Sequence, residues 1–183
     1  HLLDLINDAL DLAQIEAGKM TFRPEEVAVD ALVDDAITLV TPLAADRGVV
    51  VANQLGVNGA RVFADPFRLK QVIINLLSNA IKYSPEGTDI RIAADLSREG
   101  PEGAGQAERW LAISVADQGP GVPEADQERI FGEYEKGGSG RRKRGGVGIG
   151  LTLSRRLAEY MGGDLTLENA PQGGLRAVLT MPR

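Results

Sequence analysis

The stretch Asn75-Leu-Leu-Ser-Asn79-Ala-Ile-Lys82-Tyr83 decides the fold, because it joins an apolar helical pattern to a row of polar side chains. Gln71, Asn75, Asn79 and Lys82 follow one another at spacings of four, four and three residues. These spacings place all four side chains on one face of a helix. Asparagine is a mediocre helix former, so two of them one turn apart need an explanation. Either this face is turned to water, or its amide oxygens hold a hydrated Mg²⁺ while Lys82 meets phosphate oxygens.

The neighbouring residues predict the limits of this helix. Asp65-Pro66 offers an N-cap followed by proline at the first helical position, and Ser84-Pro85-Glu86-Gly87 ends the helical pattern. We therefore predict a helix over residues 66–83. Its other positions are strongly apolar, so we expect that side of the helix to be buried in the core.

A second group of chemically informative residues follows a strand predicted at residues 110–116. The residues are Asp117-Gln118-Gly119-Pro120-Gly121. A carboxylate in this position can accept a hydrogen bond from an exocyclic amine, and the two glycines let the backbone approach a flat ring. The alternative is a glycine-rich turn that is capped by Asp117 and has no ligand.

A third group, Gly145-Gly146-Val147-Gly148-Ile149-Gly150-Leu151, leads directly into a predicted helix. Alternating glycines before a helix expose backbone N–H groups at the positive end of the helix dipole, which suits a polyphosphate. A dinucleotide-binding fingerprint would follow the first strand of a βαβ unit. Here the glycines follow a long loop, so that interpretation fails. The basic, glycine-rich residues 136–144 before them are either a solvated loop or a mobile lid.

Composition limits the remaining possibilities. The 183 residues are 43% hydrophobic and 25% charged, which is typical of one globular domain. A net charge of −6 and an aromatic content of 4% argue against a general nucleic-acid binder. There is no cysteine and His1 is the only histidine, so a disulfide framework is excluded and a Ser/His triad is hard to build. No apolar run approaches the roughly 20 residues needed to span a bilayer.

The periodicities of the whole chain predict an α+β fold without a regular βαβ repeat. Helices are predicted at residues 1–17, 29–46, 66–83, 126–131 and 149–161. Extended segments are predicted at residues 21–27, 49–55, 60–64, 89–96, 110–116, 164–169 and 175–181. Asn58-Gly59 is a strong hairpin signal, so segments 49–55 and 60–64 are expected to pair with each other. The two apolar stripes of residues 1–17 favour one helix of a helical bundle.

Four motifs, taken in their order and spacing, resemble the N, G1, F and G2 boxes of sensor histidine kinases. They occupy residues 75–83, 117–121, 130–134 and 146–151. The resemblance implies the Bergerat fold, a two-layer α/β sandwich in which helices cover one face of a mixed β-sheet and ATP lies between the helices and a lid. It also implies that residues 20–183 are the catalytic and ATP-binding domain. Residues 1–19 would then be the C-terminal part of the second helix of the dimerisation and histidine-phosphotransfer domain.

The same resemblance implies roles for individual residues. Asn79, assisted by Asn75, would hold Mg²⁺, with Asn79 and Lys82 as the catalytic candidates. Lys82 and Tyr83 would contact phosphate and ribose, and Asp117 would accept a hydrogen bond from the adenine amino group. The other implied ATP contacts are Gly119, Gly121, Val122, Phe131, Lys136, Gly146, Val147, Gly148, Ile149, Gly150, Leu151 and Thr152.

The implied function is that of the ATP-binding domain of a two-component sensor histidine kinase, which transfers the γ-phosphoryl group of ATP to a histidine. His1 is not the expected acceptor, because the family's acceptor is normally followed by an acidic residue and His1 is followed by Leu2. The acceptor is therefore expected outside these residues. The expected partners are ATP, the protein's own histidine-phosphotransfer domain in a homodimer, and a response-regulator receiver domain, with no nucleic acid. The expected location is cytoplasmic, with the membrane anchorage of the parent protein left open.

Two other functions stay open at the level of sequence. The same fold serves the ATPases of DNA gyrase, heat-shock chaperones and mismatch repair, which place a glutamate general base four residues before the metal-binding asparagine. Asn75 occupies that position here, and an amide cannot take a proton from water, so slow hydrolysis is expected. The other alternative is a non-catalytic nucleotide-binding signalling module. The presence of all four motifs argues against this alternative.

Overall fold

The computed structural model describes residues 2–57, 59–97, 110–131, 149–171 and 173–183. Its helices are α1 (Leu2–Glu16), α2 (Val29–Asp46), α3 (Pro66–Tyr83), α4 (Glu124–Gln127) and α5 (Ile149–Tyr160), with a short 3-10 helix at Arg129–Phe131. Its strands are β1 (Glu25–Ala28), β2 (Val50–Leu55), β3 (Arg61–Ala64), β4 (Asp89–Ser97), β5 (Trp110–Ala116), β6 (Asp164–Asn169) and β7 (Leu175–Pro182). Across these described ranges, none of the helices has both the length and the apolar character needed to cross a membrane.

Five strands form a mixed sheet in the order β2-β4-β5-β7-β6. β2 runs parallel to β4, and every other pair is antiparallel. The register places Ile113 of β5 opposite Ala94 of β4 on one side and Leu179 of β7 on the other, and Leu179 opposite Leu165 of β6. Because side chains alternate between the faces of a sheet, this row gives one continuous apolar face.

Helices α2, α3 and α5 pack against that apolar face and enclose the core. α3 contributes Leu69, Ile73, Leu77 and Ile81, all of them fully buried. Their spacing follows the apolar stripe that the sequence predicted, and burying such side chains is the main source of stability in a domain of this kind. The predicted α+β sandwich, with helices on one face of a mixed sheet, is confirmed.

The start of α3 shows why the sequence defines its position so sharply. Oδ1 of Asp65 accepts hydrogen bonds from the backbone N–H groups of Phe67 (3.0 Å) and Arg68 (3.1 Å). Oδ2 of the same carboxylate accepts from the backbone N–H of Arg23 at 2.9 Å. Asp65 therefore satisfies two N–H groups that a helix start leaves unpaired, and it also ties the segment before β1 to α3.

The predicted hairpin across Asn58-Gly59 is wrong. β2 pairs in parallel with β4, whereas β3 pairs antiparallel with β1 in a separate two-stranded sheet. Gly59 does have the positive φ (+70°) of a tight turn. A turn sets only the local direction of the chain, however, and Val62 of β3 is buried beside Val27 of β1 instead of beside β2.

Helix α1 packs against the domain through one of its two apolar stripes. Leu12 and Ile15 contact the core, while Ile6 and Leu10 on the other stripe are about half exposed. The carboxylate of Asp11 accepts hydrogen bonds from two side chains of α3, from Nη1 of Arg68 at 2.7 Å and from Nε2 of Gln71 at 3.1 Å. The polar face of α3 therefore begins at the contact with α1.

Smaller differences concern element ends. The single helix predicted for residues 126–131 is divided into α4 and the 3-10 helix Arg129–Phe131. The last helix ends at Tyr160, one residue before the predicted end, and Gly162 follows with a positive φ of +79°. Such ends depend on capping, which periodicity does not report.

Candidate nucleotide-binding site

The C-terminal half of α3 meets the first two turns of α5. Nδ2 of Asn75 donates a hydrogen bond of 2.7 Å to Oγ of Ser154, and Nδ2 of Asn79 lies 3.4 Å from Oδ1 of Asn75. A Cβ on Gly150 would lie only 2.6 Å from Oδ1 of Asn75, so a residue with a side chain does not fit there without movement. The structure therefore brings two of the predicted motifs, in residues 75–83 and 146–151, into direct contact.

The amide oxygens of this contact fit a magnesium ion. The Nδ2 end of the Asn79 side chain faces Asn75. In the part of the chain that the structure describes, the other end, Oδ1, has no hydrogen-bond partner. The described ranges contain no cluster of three or more His, Cys, Asp or Glu side chains that could hold a metal ion. Mg²⁺ prefers oxygen ligands, keeps several waters and is commonly bound together with substrate phosphates. Oδ1 of Asn79 is an oxygen of this kind.

The last turn of α3 contacts the loop after β5. Nζ of Lys82 lies 5.3 Å from the centroid of the Tyr83 ring, which is half exposed. A Cβ on Gly119 would lie 2.8 Å from the backbone carbonyl oxygen of Tyr83, so glycine allows the close approach of the two segments. Asn79, Lys82, Tyr83 and Asp117 are therefore grouped at one end of the domain.

Asp117 is held in a fixed orientation at the end of β5. Its side chain is only 8% exposed. Oδ1 accepts hydrogen bonds from the backbone N–H groups of Gly119 (2.8 Å) and Leu175 (3.0 Å), and the backbone N–H of Asp117 donates to the carbonyl of Leu175. Among the described residues, Oδ2 has no hydrogen-bond partner. The arrangement leaves one carboxylate oxygen available to accept a hydrogen bond from a ligand.

Two residues that support this loop were missed by sequence reasoning. The side chain of Asn169 accepts from the backbone N–H of Val122 (3.0 Å) and donates to its carbonyl (2.8 Å). Gly174 has a φ of +94°, and a Cβ there would overlap the backbone carbonyl of Asp117. The adjacent glycines 173 and 174 were a visible turn signal, but nothing local connects them to Asp117.

Substitution of Gly174 by alanine should destabilise the domain by about 2 kcal/mol, because Ala disfavours a positive φ and its Cβ would displace Asp117. Gly173→Ala is the matched control, since Gly173 also has a positive φ (+90°) but open space around its Cβ. We expect urea unfolding to show the larger loss for Gly174→Ala, together with weaker ATP binding. Equal losses in stability and unchanged ATP binding would contradict the assigned contact with Asp117.

Some of the remaining predicted ligand contacts lie among the described residues, and the others lie outside them. Gly121 has a positive φ of +67° beside Asn169, and Val122 is held by Asn169 as described. Phe131, Ile149 and Thr152 are buried, and Leu151 is half-buried against the core. The predicted contacts Lys136, Gly146, Val147 and Gly148 lie outside the described residues.

Arg155 connects α5 with the segment before the undescribed residues 132–148. Its guanidinium donates to Oε2 of Glu128 at 2.8 Å and lies 4.6 Å from the centroid of the Phe131 ring. Burial lowers the pKa of Arg155, but the hydrogen bond to Glu128 and the charges of Glu128, Asp164 and Glu159 outweigh burial and raise the pKa above its ordinary value. Arg155 therefore stays charged and holds the 3-10 helix against α5.

The family model for the histidine kinase-, DNA gyrase B- and HSP90-like ATPases matches residues 64–183, which contain α3, the Asp117 loop and α5. The chain belongs to this ATPase family. The Virulence sensor protein BvgS of Bordetella bronchiseptica is 40% identical over 176 residues, covering 94% of this chain and 14% of the relative. The Histidine protein kinase DivJ of Caulobacter vibrioides is 34% identical, covering 100% of this chain and 29% of the relative.

Solved structures of histidine kinases share the fold of this ATPase domain. Full-length ShkA in complex with AMPPNP gives a TM-score of 0.81 at 27% identity, covering 100% of this chain and 36% of that chain. A catalytic domain of the histidine kinase ThkA gives a TM-score of 0.71 at 27% identity, covering 89% of this chain and 96% of that chain. The predicted resemblance to the catalytic ATP-binding domain of sensor histidine kinases is confirmed. The chain spans 14% to 29% of the length of the two relatives named above.

Proposed function

We propose that residues 20–183 are the ATP-binding catalytic domain of a two-component sensor histidine kinase, which transfers the γ-phosphoryl group to a histidine on a helix outside residues 1–183. The observation that carries the proposal is a pair of oxygens at one end of the domain, Oδ2 of Asp117 and Oδ1 of Asn79, that have no hydrogen-bond partner among the described residues. The first suits the amine of an adenine ring, and the second suits a metal ion bound to phosphates. A nucleotide triphosphate with Mg²⁺ offers both groups in one ligand.

The residues of the site act by binding and orientation. Asp117 orients the base, while Asn79 and Asn75 would hold the magnesium ion, which neutralises charge on the phosphates when it is bound. Lys82 adds a positive charge beside the phosphates, and Tyr83 contacts the ribose. No bond to the protein forms in this part of the reaction, so the domain contributes position and charge.

The absence of a carboxylate at residue 75 favours phosphoryl transfer over hydrolysis. The Asn75 amide is hydrogen-bonded to Ser154 and cannot remove a proton from water. A nucleotide held in this site therefore waits for a nucleophile that another domain supplies. This argument favours the kinase over the ATPase alternative.

The proposal extends to the surroundings of the domain. Residues 1–19, which include α1, would be the C-terminal part of the second helix of the dimerisation and histidine-phosphotransfer domain. The exposed apolar stripe with Ile6 and Leu10 supports this assignment, because one helix of a bundle needs such a face. The partners are then the protein's own phosphotransfer domain in a homodimer and a response-regulator receiver domain, and the location is cytoplasmic.

The chain is expected to bind Mg·ATP without becoming labelled from γ-labelled ATP and with very slow phosphate release. The physical reasons are that His1 is not followed by an acidic residue and that residue 75 is an amide. The measurements are ATP titration by calorimetry, autoradiography at high pH and a phosphate-release assay.

In the full-length parent protein, acid-labile label should appear and should be lost with Asn79→Ala. Label on His1, or rapid phosphate release that survives repurification, would contradict the kinase assignment, whereas ATP binding without label in the parent indicates a signalling module.

A further inference from the structure

The hairpin that joins β6 to β7 holds both ends of residues 117–122, which we call the base loop. Asn169 and Leu175 lie opposite each other at the end of the β6–β7 ladder. At the start of the base loop, the backbone N–H of Leu175 donates to Oδ1 of Asp117 at 3.0 Å. At its end, the side chain of Asn169 bonds to the backbone of Val122. One cross-strand pair therefore carries both anchor points of the base loop.

The two partners of Asn169 fix the orientation of its carboxamide. The backbone N–H of Val122 can only donate and the Val122 carbonyl can only accept, so Oδ1 faces the N–H (3.0 Å) and Nδ2 faces the carbonyl (2.8 Å). The Val122 carbonyl also accepts from Nε2 of Gln127 at 3.3 Å. Among the described residues, the Val122 N–H has no partner other than Asn169. Loss of the Asn169 side chain would therefore release this end of the base loop.

The composition of the base loop explains why its far end needs an anchor. The residues between the two anchor points are Gln118, Gly119, Pro120 and Gly121, and glycine allows the backbone many alternative courses. Gly121 has a φ of +67°, and a Cβ there would lie only 2.8 Å from Oδ1 of Asn169. Asn169 therefore restricts the position of Gly121 by direct contact and the position of Val122 by hydrogen bonds.

We propose that Asn169 is a positioning residue for the adenine end of the site, which keeps Gly121 and Val122 in place beside the Asp117 carboxylate. The inference rests on the proposed function, since it assumes that the base loop receives the adenine ring. Asn169 does not touch the nucleotide in this scheme. If the base loop spends only part of its time in the competent course, the affinity for ATP falls by that same fraction. The effect should therefore be equal with and without Mg²⁺.

The test measures dissociation constants of ATP, with Mg²⁺ and in excess EDTA, for the parent chain and two variants. Asn169→Ala should weaken binding about 3- to 10-fold under both conditions, the effect of about one lost hydrogen bond. Asn53→Ala is the matched control. Asn53 is also exposed, donates to Asp34 and accepts from the backbone N–H of Leu55, but it lies on β2 at the opposite edge of the sheet from β6. Asn53→Ala should leave both constants within about twofold of the parent.

Two further measurements separate positioning from a general loss of stability. In nucleotide-free Asn169→Ala, hydrogen exchange measured by NMR should become faster at the Val122 amide and stay unchanged at the Leu175 amide, which Asp117 still holds. In the full-length parent protein, Asn169→Ala should raise the KM for ATP and leave kcat within about twofold, because only binding of the base is weakened.

The inference is overturned if Asn169→Ala binds ATP like the parent chain, if its loss appears only with Mg²⁺, or if Asn53→Ala loses as much affinity. It is also overturned if hydrogen exchange rises equally at Val122 and Leu175, or if kcat falls while KM is unchanged. The proposed function is separately overturned if the parent chain binds no ATP, and the inference then falls with it.

Discussion

Asn79→Ala is expected to remove most of the magnesium-dependent affinity for ATP, with a loss on the order of 100-fold, as is typical when a metal site is damaged. The substitution deletes the amide oxygen that lacks a partner among the described residues and leaves the apolar side of α3 unchanged. Binding of ATP in excess EDTA should fall no more than about threefold, because no metal bridges the phosphates under that condition. The measurement is a calorimetric titration with and without Mg²⁺.

Ser78→Ala is the matched control for Asn79→Ala. Ser78 precedes Asn79 on α3, is partly exposed and lines a groove between α1, α3 and α5. It should bind Mg·ATP like the parent chain, which separates a metal effect from a general effect of polar loss on this helix. If Asn79→Ala lost the same affinity with and without Mg²⁺, Asn79 would be a structural residue and its metal role would be wrong.

Asp117→Asn should weaken ATP binding by about 1.5–3 kcal/mol, or roughly 10- to 100-fold, which is the range for a hydrogen bond to a charged group. An asparagine can keep its oxygen toward the N–H groups of Gly119 and Leu175, which fixes the side chain as in the parent. Its NH₂ group then takes the place of Oδ2. That donor would face the amine of adenine, so the hydrogen bond is replaced by a clash of two donors.

The same substitution should change the choice of base. In the parent chain, guanine would place its carbonyl oxygen against the Asp117 carboxylate, so GTP should bind more weakly than ATP. In Asp117→Asn the NH₂ group can donate to that oxygen, so the preference for ATP over GTP should shrink or reverse. Competition titrations with both nucleotides measure this change.

Asp126→Asn is the charge-matched control for Asp117→Asn. Asp126 lies in α4, is about half exposed and is paired with Arg129. Removing its charge should leave both ATP and GTP binding within about twofold, because exposed ion pairs contribute little. An Asp117→Asn variant that binds ATP like the parent chain would show that this carboxylate does not contact the base.

Local chemistry allowed the sequence to predict α3 almost completely. The Asp65 cap, Pro66 at the first helical position and the apolar spacing all act within a few residues, so their effects can be recognised without the fold. The sequence and the family resemblance together therefore identified Asn79 and Asp117 as the candidate residues for the metal ion and the base.

Local sequence patterns could not predict which strands pair with each other. The Asn58-Gly59 signal predicted a hairpin, but β2 joins the five-stranded sheet beside β4 and β3 joins β1. A turn fixes the direction of two or three residues. The choice of strand partner depends on which apolar side chains can be buried together, and that depends on the whole sheet.

By itself, the sequence determined α3, its polar face, the loop at Asp117 and the family to which the chain belongs. Only the tertiary structure decided what holds those residues in place: Ser154 against Asn75, Asn169 against Val122, and Leu175 against Asp117, at separations of 79, 47 and 58 residues. The physical reason is range. Helix periodicity and caps arise from contacts within one or two turns, whereas the orientation of an amide or a carboxylate depends on hydrogen bonds that form only after distant segments have packed.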